Sequence, residues 1–286
     1  MKYSGIGGQA VIEGIMMMKG EDYAVAVRRP DKEIEVKKDT YQSITKKAKI
    51  LQLPFVRGVF RFADSMIIGM RSLTYSASFF EDDEDAEPGK FEQFLDRVFG
   101  EKLESAIMAA VLVISFILAI GIFMLLPLGI ANLFKGVITS DHLMAVLEGV
   151  IRIAIFIIYI KLVSWMEDIR RTFMYHGAEH KCINCVEHGH PLTVKYVRES
   201  SKEHKRCGTS FILIVMVISI LMFMVIRVDT IWMRILSRII LVPVIAGISY
   251  EVLQCAGRSN SKFMDLVSRP GMWMQGLTTK EPDDSM

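Results

Sequence analysis

The sequence predicts a mainly α-helical, polytopic membrane protein. It should have four transmembrane helices, a small cytosolic β-containing N-terminal unit and a cytosolic metal-bearing loop. Three observations predict this. Four apolar runs of membrane length all begin past residue 100. Lysine and arginine crowd the segment before the first run and the connection between the second and third. The stretch "YHGAEHKCINCVEHGH", Tyr175 to His190, holds four of the chain's six histidines and two of its four cysteines. The composition agrees: 51% of the 286 residues are hydrophobic, and the excess falls in blocks. The net charge of +2 says little about partners until position is considered.

Residues 1–52 read as the β-containing unit. "YAVAVRRPDKEIEVKK" alternates apolar and polar side chains on both sides of "RPDK", the pattern of a hairpin. Ahead of it, "GIGGQAVIEGIMMMKG" is punctuated by Gly5, Gly7, Gly8 and Gly14, with Glu13 its only acid. It lacks the spacing of a phosphate-cradling loop and reads as a tight turn pressed against the membrane or another segment. Residues 53–104 hold an amphipathic helix, an acidic linker "EDDEDAEPGK" and a pre-membrane helix. Between Leu53 and Ala77, Arg57, Arg61, Asp64 and Arg71 interrupt apolar residues at helical spacing. Such a helix lies along the inner leaflet or forms the core of the N-terminal unit. Lys46, Lys47 and Lys49 suit anionic lipid better than RNA.

A hydrocarbon core of about 30 Å takes about 20 apolar residues in helix. Ser105 to Leu126 and Leu143 to Trp165 meet that length and give spans one and two, within residues 105–166. Phe211 to Ile226 and Ile231 to Leu253 give spans three and four, within 211–253. Only "RVDT" separates the last two, so they form a hairpin. Between the pairs lies the His/Cys loop, 167–210, and after them a C-terminal segment, 254–286. The basic excess marks cytosolic flanks, which places both termini and the His/Cys loop in the cytosol. No secretory signal is read, and cysteines in a reducing compartment are thiols or metal thiolates. Glu148 in span two needs a partner inside the membrane: Arg152, Arg238 or both. Spans one and three carry no ionisable residue, which disfavours a transporter.

Span two is expected to run on past Trp165 without a break. His176 and His180 then share one helical face with Glu179 beside them, and His-x-x-Glu-His is a zinc pattern in which the glutamate acts as base. A third ligand could come from three places: from Cys182 and Cys185, which with His188 or His190 could instead form a separate knot; from His204 and Cys207; or from Glu251. The second source is favoured, because the loop's two ends meet the membrane on the same side. Nitrogen and sulfur ligands suit zinc, with other transition ions open. Thr209 and Ser210 read as caps of span three.

"GGQAVIEGIMMMKG", "YHGAEHK", "HKRCGTSF" and "PGMWMQGLTTKEPDD" together resemble the YqhQ-like family of uncharacterised bacterial membrane proteins, often labelled predicted metal-dependent enzymes. The resemblance runs essentially the whole length and puts weight on His176, Glu179, His180, His204 and Cys207. Lys205 stands where the family usually has proline, and the chain stops soon after "EPDD" where relatives commonly continue. Three readings of the cluster stay open. The histidines are surface or cap residues; or His176, His180, His204 and Cys207 close a structural zinc site; or one position stays open and Glu179 is the base of a hydrolase. The first enzymatic expectation is a metal-dependent hydrolase acting in the bacterial cytoplasmic membrane on lipid, peptide or another amphiphile. The alternative is a zinc-stapled scaffold that docks membrane-insertion machinery, a ribosome or another membrane protein. Nucleic acid enters only through a ribosome.

Overall fold

The computed structural model describes residues 3–80, 103–226, 230–259 and 261–286. The acidic linker, the pre-membrane helix before residue 103, residues 227–229 of the expected hairpin connection and the side chain of Arg234 lie outside the described residues. The chain forms two compact units, 1–80 with 159–286, and 81–158.

In the first unit, four antiparallel strands follow one another in sheet order: β1 (Ile6–Val11), β2 (Gly14–Lys19), β3 (Asp22–Arg28) and β4 (Ile34–Thr40). The β3–β4 hairpin is the one the alternation predicts. β1 and β2 are strands where a glycine-punctuated turn is expected, paired from Ile6↔Lys19 to Val11↔Gly14. Residues facing each other across a ladder share a face. Val11, Met16, Tyr23, Val25 and Val27 therefore form one side, and Ile68 of helix α1 (Val56–Ala77) closes that core. α1 is thus a core helix of the unit. Asp64, one of the charges that interrupt its apolar residues, is 4% exposed. It accepts hydrogen bonds from Tyr41 Oη at 3.0 Å, Ser43 Oγ at 2.5 Å and the Ile44 N–H at 3.0 Å, tying α1 to the chain after β4.

Among the described residues, four helices are long and apolar enough to cross a membrane: Ala110–Asn132, Asp141–Val163, Gly208–Val225 and Leu236–Arg258. The first joins α2 (Leu103–Ile120) through one π-helical turn, Gly121–Leu125, to α3 (Leu126–Asn132). Pro127 explains the wide turn, since it has no N–H to give the carbonyl four residues back. In α4 (Asp141–Val163), Arg152 Nη2 donates to Glu148 Oε1 at 2.7 Å, the expected pairing within one helix. The apolar surface of these helices stays exposed, as Phe116, Ile117, Leu221 and Ile240 do, which is the arrangement that lipid rather than protein would cover.

Span two does not run on unbroken. The helix stops at Val163, Met166 is extended, and α5 (Glu167–Glu187) starts afresh with Glu167 and Asp168 in its first turn. Acids at that end complement the helix dipole. After α5 come a short α6 (Val194–Glu199), then α7 (Gly208–Val225), α8 (Ile231–Arg258) and α9 (Lys262–Thr278). α1 crosses α8 where both are glycine. A methyl on Gly247 would lie 2.3 Å from the Phe55 carbonyl oxygen, and one on Gly58 would lie 2.8 Å from Tyr250 Cβ. Glu251 belongs to this crossing. Its carboxylate accepts from Arg57 Nε at 2.7 Å and Nη2 at 2.5 Å, so it is committed to α1 rather than to the histidines.

Candidate metal centre

α5 lies against the sheet face opposite α1, and its contact with β1 requires glycine. A methyl on Gly8 would sit 2.6 Å from Oε1 of Glu179. At the hairpin tip, Glu13 accepts from Arg171 Nη2 at 2.5 Å and from the Tyr175 hydroxyl at 3.3 Å. The glycine-rich segment therefore covers the ligand-bearing helix. On the other side the C-terminal segment crosses α5 at Gly177, where a methyl would meet the Lys280 carbonyl oxygen at 2.1 Å. The Lys280 N–H donates to the Phe173 carbonyl at 2.8 Å.

His176 and His180 are one turn apart on α5, with ring centroids at 4.5 Å. Each ring is pinned by a backbone carbonyl: Nδ1 of His176 at 2.8 Å from Thr278 O, Nδ1 of His180 at 2.7 Å from Lys202 O. A carbonyl oxygen only accepts, so in the neutral rings both Nδ1 atoms carry the proton and both Nε2 atoms keep a lone pair. Outer carbonyls of this kind orient histidine ligands in metal sites. Cys207 brings its sulfur to 3.2 Å from His176 Nε2. It occupies the N-cap position of α7, where the helix dipole favours an anion. Thr209 Oγ1 lies 3.1 Å from that sulfur, and Ser210 Oγ accepts from Gln275 Nε2 at 2.9 Å, so neither serves as the expected cap.

One ligand atom each from His176, His180 and Cys207 lie within 4.8 Å of one another. A small inward movement of these side chains would let them share a single ion bound at about 2.0–2.3 Å per bond. Beside it, Glu179 is 4% exposed, with Oε2 at 3.5 Å from His180 Nε2. Burial pushes this carboxyl up to about 7, while the His176 charge acts in the opposite direction. Two nitrogen lone pairs, a sulfur and a carboxylate repel one another unless a proton or a cation lies among them. The residues fit a bound metal ion.

His204 stands apart from the trio. Its ring centroid is 5.8 Å from that of His180, and its Nε2 is 3.5 Å from Glu187 Oε2 and 3.4 Å from Arg206 Nη2. Burial, with the charges of Arg206 and His180, holds this imidazole down to about 4, so the ring is neutral at pH 7. Glu187 also accepts from the N–H and hydroxyl of Ser4, at 3.0 and 2.8 Å, and pairs with Arg206. Burial raises its pKa, but Ser4 and Arg206 outweigh that and leave it below the usual range. The alternative, a separate knot among Cys182, Cys185, His188 and His190, does not form. Cys185 Sγ faces the carbonyls of His190 and Pro191, His188 Nδ1 bonds the Asn184 carbonyl at 2.7 Å, and His190 stacks on Tyr196. All four cysteines are free.

Several supporting residues escape a search for ligand types. Gln275, fully buried, accepts from the His204 N–H at 2.8 Å and donates to its carbonyl at 2.7 Å. Asn184 donates to the carbonyls of Ser201 and Glu203 at 2.6 and 2.9 Å. Both fix the turn that delivers Cys207. Gln275 alone has a signal in the sequence, as the lone amide in the apolar stretch "GMWMQGL".

Residues 53–286 match the family model described as "Protein of unknown function (DUF1385)". The chain belongs to the DUF1385 family. It is also 34% identical over 279 residues to the "Uncharacterized protein YqhQ" of Bacillus subtilis (strain 168), covering 97% of this chain and 87% of that one. No solved structure matches. The match to the DUF1385 model includes the whole trio and its carboxylate, and it begins after the sheet whose Gly8 makes room for that carboxylate.

Proposed function

We propose that this member of the family is a zinc-type metal-dependent hydrolase working at the inner face of a bacterial cytoplasmic membrane, on lipid, peptide or another amphiphile. The observation that carries it is the convergence of His176, His180 and Cys207 with Glu179 at their edge, while His204 turns to Glu187. Three protein ligands leave the fourth position open, which is the arrangement of catalytic rather than structural zinc. A bound ion would supply Lewis acidity and acidify water. Glu179, a carboxyl poised near neutrality, would take and return the proton. The turn that carries Cys207 is already fixed by Gln275 and Asn184, so a metal staple would add little to it.

Lysine and arginine distribution supports a cytosolic site and cytosolic termini, and the Bacillus relative supports a bacterial membrane. Burial favours the second reading, a zinc-ordered scaffold that docks insertion machinery or another membrane protein: Glu179, His180 and Cys207 are at most 6% exposed. Glu179→Gln separates the two. The metal-loaded protein and this variant are each incubated with extracted membrane lipids and with membrane peptides, and products are read by mass spectrometry. The hydrolase reading expects cleavage by the parent and none by the variant at unchanged metal content. Equal products from both would remove it.

A further inference from the structure

α9 is amphipathic, and its two faces meet different surroundings. Its inner face, with Ser268, Gly271, Gln275 and Thr278, supports the metal centre through the His204 backbone and the Thr278 carbonyl. Its outer face shows Phe263, Leu266 and Trp273, which are 68, 59 and 64% exposed. Their spacing of three and seven residues puts them on one stripe. Lys262 and Arg269 are exposed on the same side. We propose that this stripe lies in the bilayer surface, making α9 an in-plane membrane helix with the metal centre on its inner side.

The anchoring of α9 fixes its level. It begins at Lys262, four residues past Arg258, the last residue of α8. It meets α7 at Ser210, in the first turn of that span: a methyl on Gly271 would lie 2.7 Å from Ser210 Oγ. Just before α7, Lys205 Nζ pairs with Asp265 at 2.5 Å. A helix about 25 Å long, held to the end of one span and the start of another, lies where both cross the membrane surface. Tryptophan and basic side chains around an apolar stripe are what that zone selects. α7 and α8 expose apolar side chains of their own, Ile212, Leu221 and Val244 among them. The inference depends on the spans crossing a bilayer and not on which metal, if any, is bound.

The test uses the full chain with Trp165→Phe and Trp232→Phe, leaving Trp273 as the only tryptophan, reconstituted in phosphatidylcholine–phosphatidylglycerol vesicles. Lipids brominated near the carbonyl end of the acyl chain should lower its emission at least about twofold, and more than lipids brominated deeper. Aqueous iodide should have little effect. Quenching by iodide but not by brominated lipid would overturn the proposal in favour of a water-facing helix. Protection from both would overturn it in favour of a face covered by a second copy or another protein. Stronger quenching by the deeper bromines would overturn it in favour of an inserted helix. Should the double variant not fold, fluorotryptophan-labelled wild type gives the same decision. Its Trp273 resonance, assigned by its loss in Trp273→Phe, broadens with headgroup-labelled paramagnetic lipid only if the stripe lies at the surface.

Discussion

Gly177 and Gly8 set the distances around the candidate ligands, and neither carries any chemistry. A methyl at Gly177 meets a backbone oxygen, so Gly177→Ala must displace the C-terminal segment and with it the Thr278 carbonyl that orients His176. We expect a cost of about 1–3 kcal/mol, typical of overpacking, with weakened metal retention, read by thermal unfolding and elemental analysis of the same preparation. Unchanged unfolding would show that the C-terminal segment is not held there. Glu13 gives a pH-dependent prediction. Its hydrogen bond from Arg171 outweighs burial and holds its pKa below the ordinary 4.5. Its contribution is therefore present above that value and lost as pH falls through the folded one. Arg171 is half exposed, so Glu13→Gln should cost only about 0.5–1 kcal/mol at neutral pH. The gap from wild type should close in acid; a gap independent of pH would refute the pairing. At this scale the sequence showed which side chains could ligate, because spacing on a helix fixes direction. It could not show which carbonyls would pin the rings, since every residue has a carbonyl.

Among the elements, apolar length made the four spans legible, and alternation made β3 and β4 so. β1 and β2 were not legible, because glycines and a run of three methionines give no alternation, and Gly8 is small for the sake of Glu179 rather than for a turn. α9 was hidden by Pro270, Gly271 and Gly276, which normally argue against a helix; Gly271 is tolerated because Ser210 fills its space. The amide of Gln275 then holds the turn before α7. Gln275→Ala would leave the buried N–H and carbonyl of His204 and the Ser210 hydroxyl without that partner. An expected loss of about 1–3 kcal/mol per stranded buried group should appear as a fall in thermal midpoint of several degrees. Asp64→Ala should act similarly on α1 by stranding Tyr41, Ser43 and the Ile44 N–H. A midpoint unchanged in either variant would mean that these hydrogen bonds do not hold the element.

In the whole molecule, helices of membrane length accompany a buried ligand cluster built from two distant parts of the chain. Topology is checked with a fluorescent protein fused to the C-terminus: fluorescence is expected in cells, and its absence with normal expression would place that end across the membrane. Composition placed the His/Cys segment beside a span, but only folding shows that Cys207 meets His176 while His204 meets Glu187. The most direct measurement is elemental analysis of the purified full-length protein and of single variants. The account predicts about one zinc-type ion per chain, lost in His176→Ala, His180→Ala and Cys207→Ala and kept in His204→Ala. A wild-type protein purified without chelator that holds no transition metal, or full metal content in all three ligand variants, would contradict it.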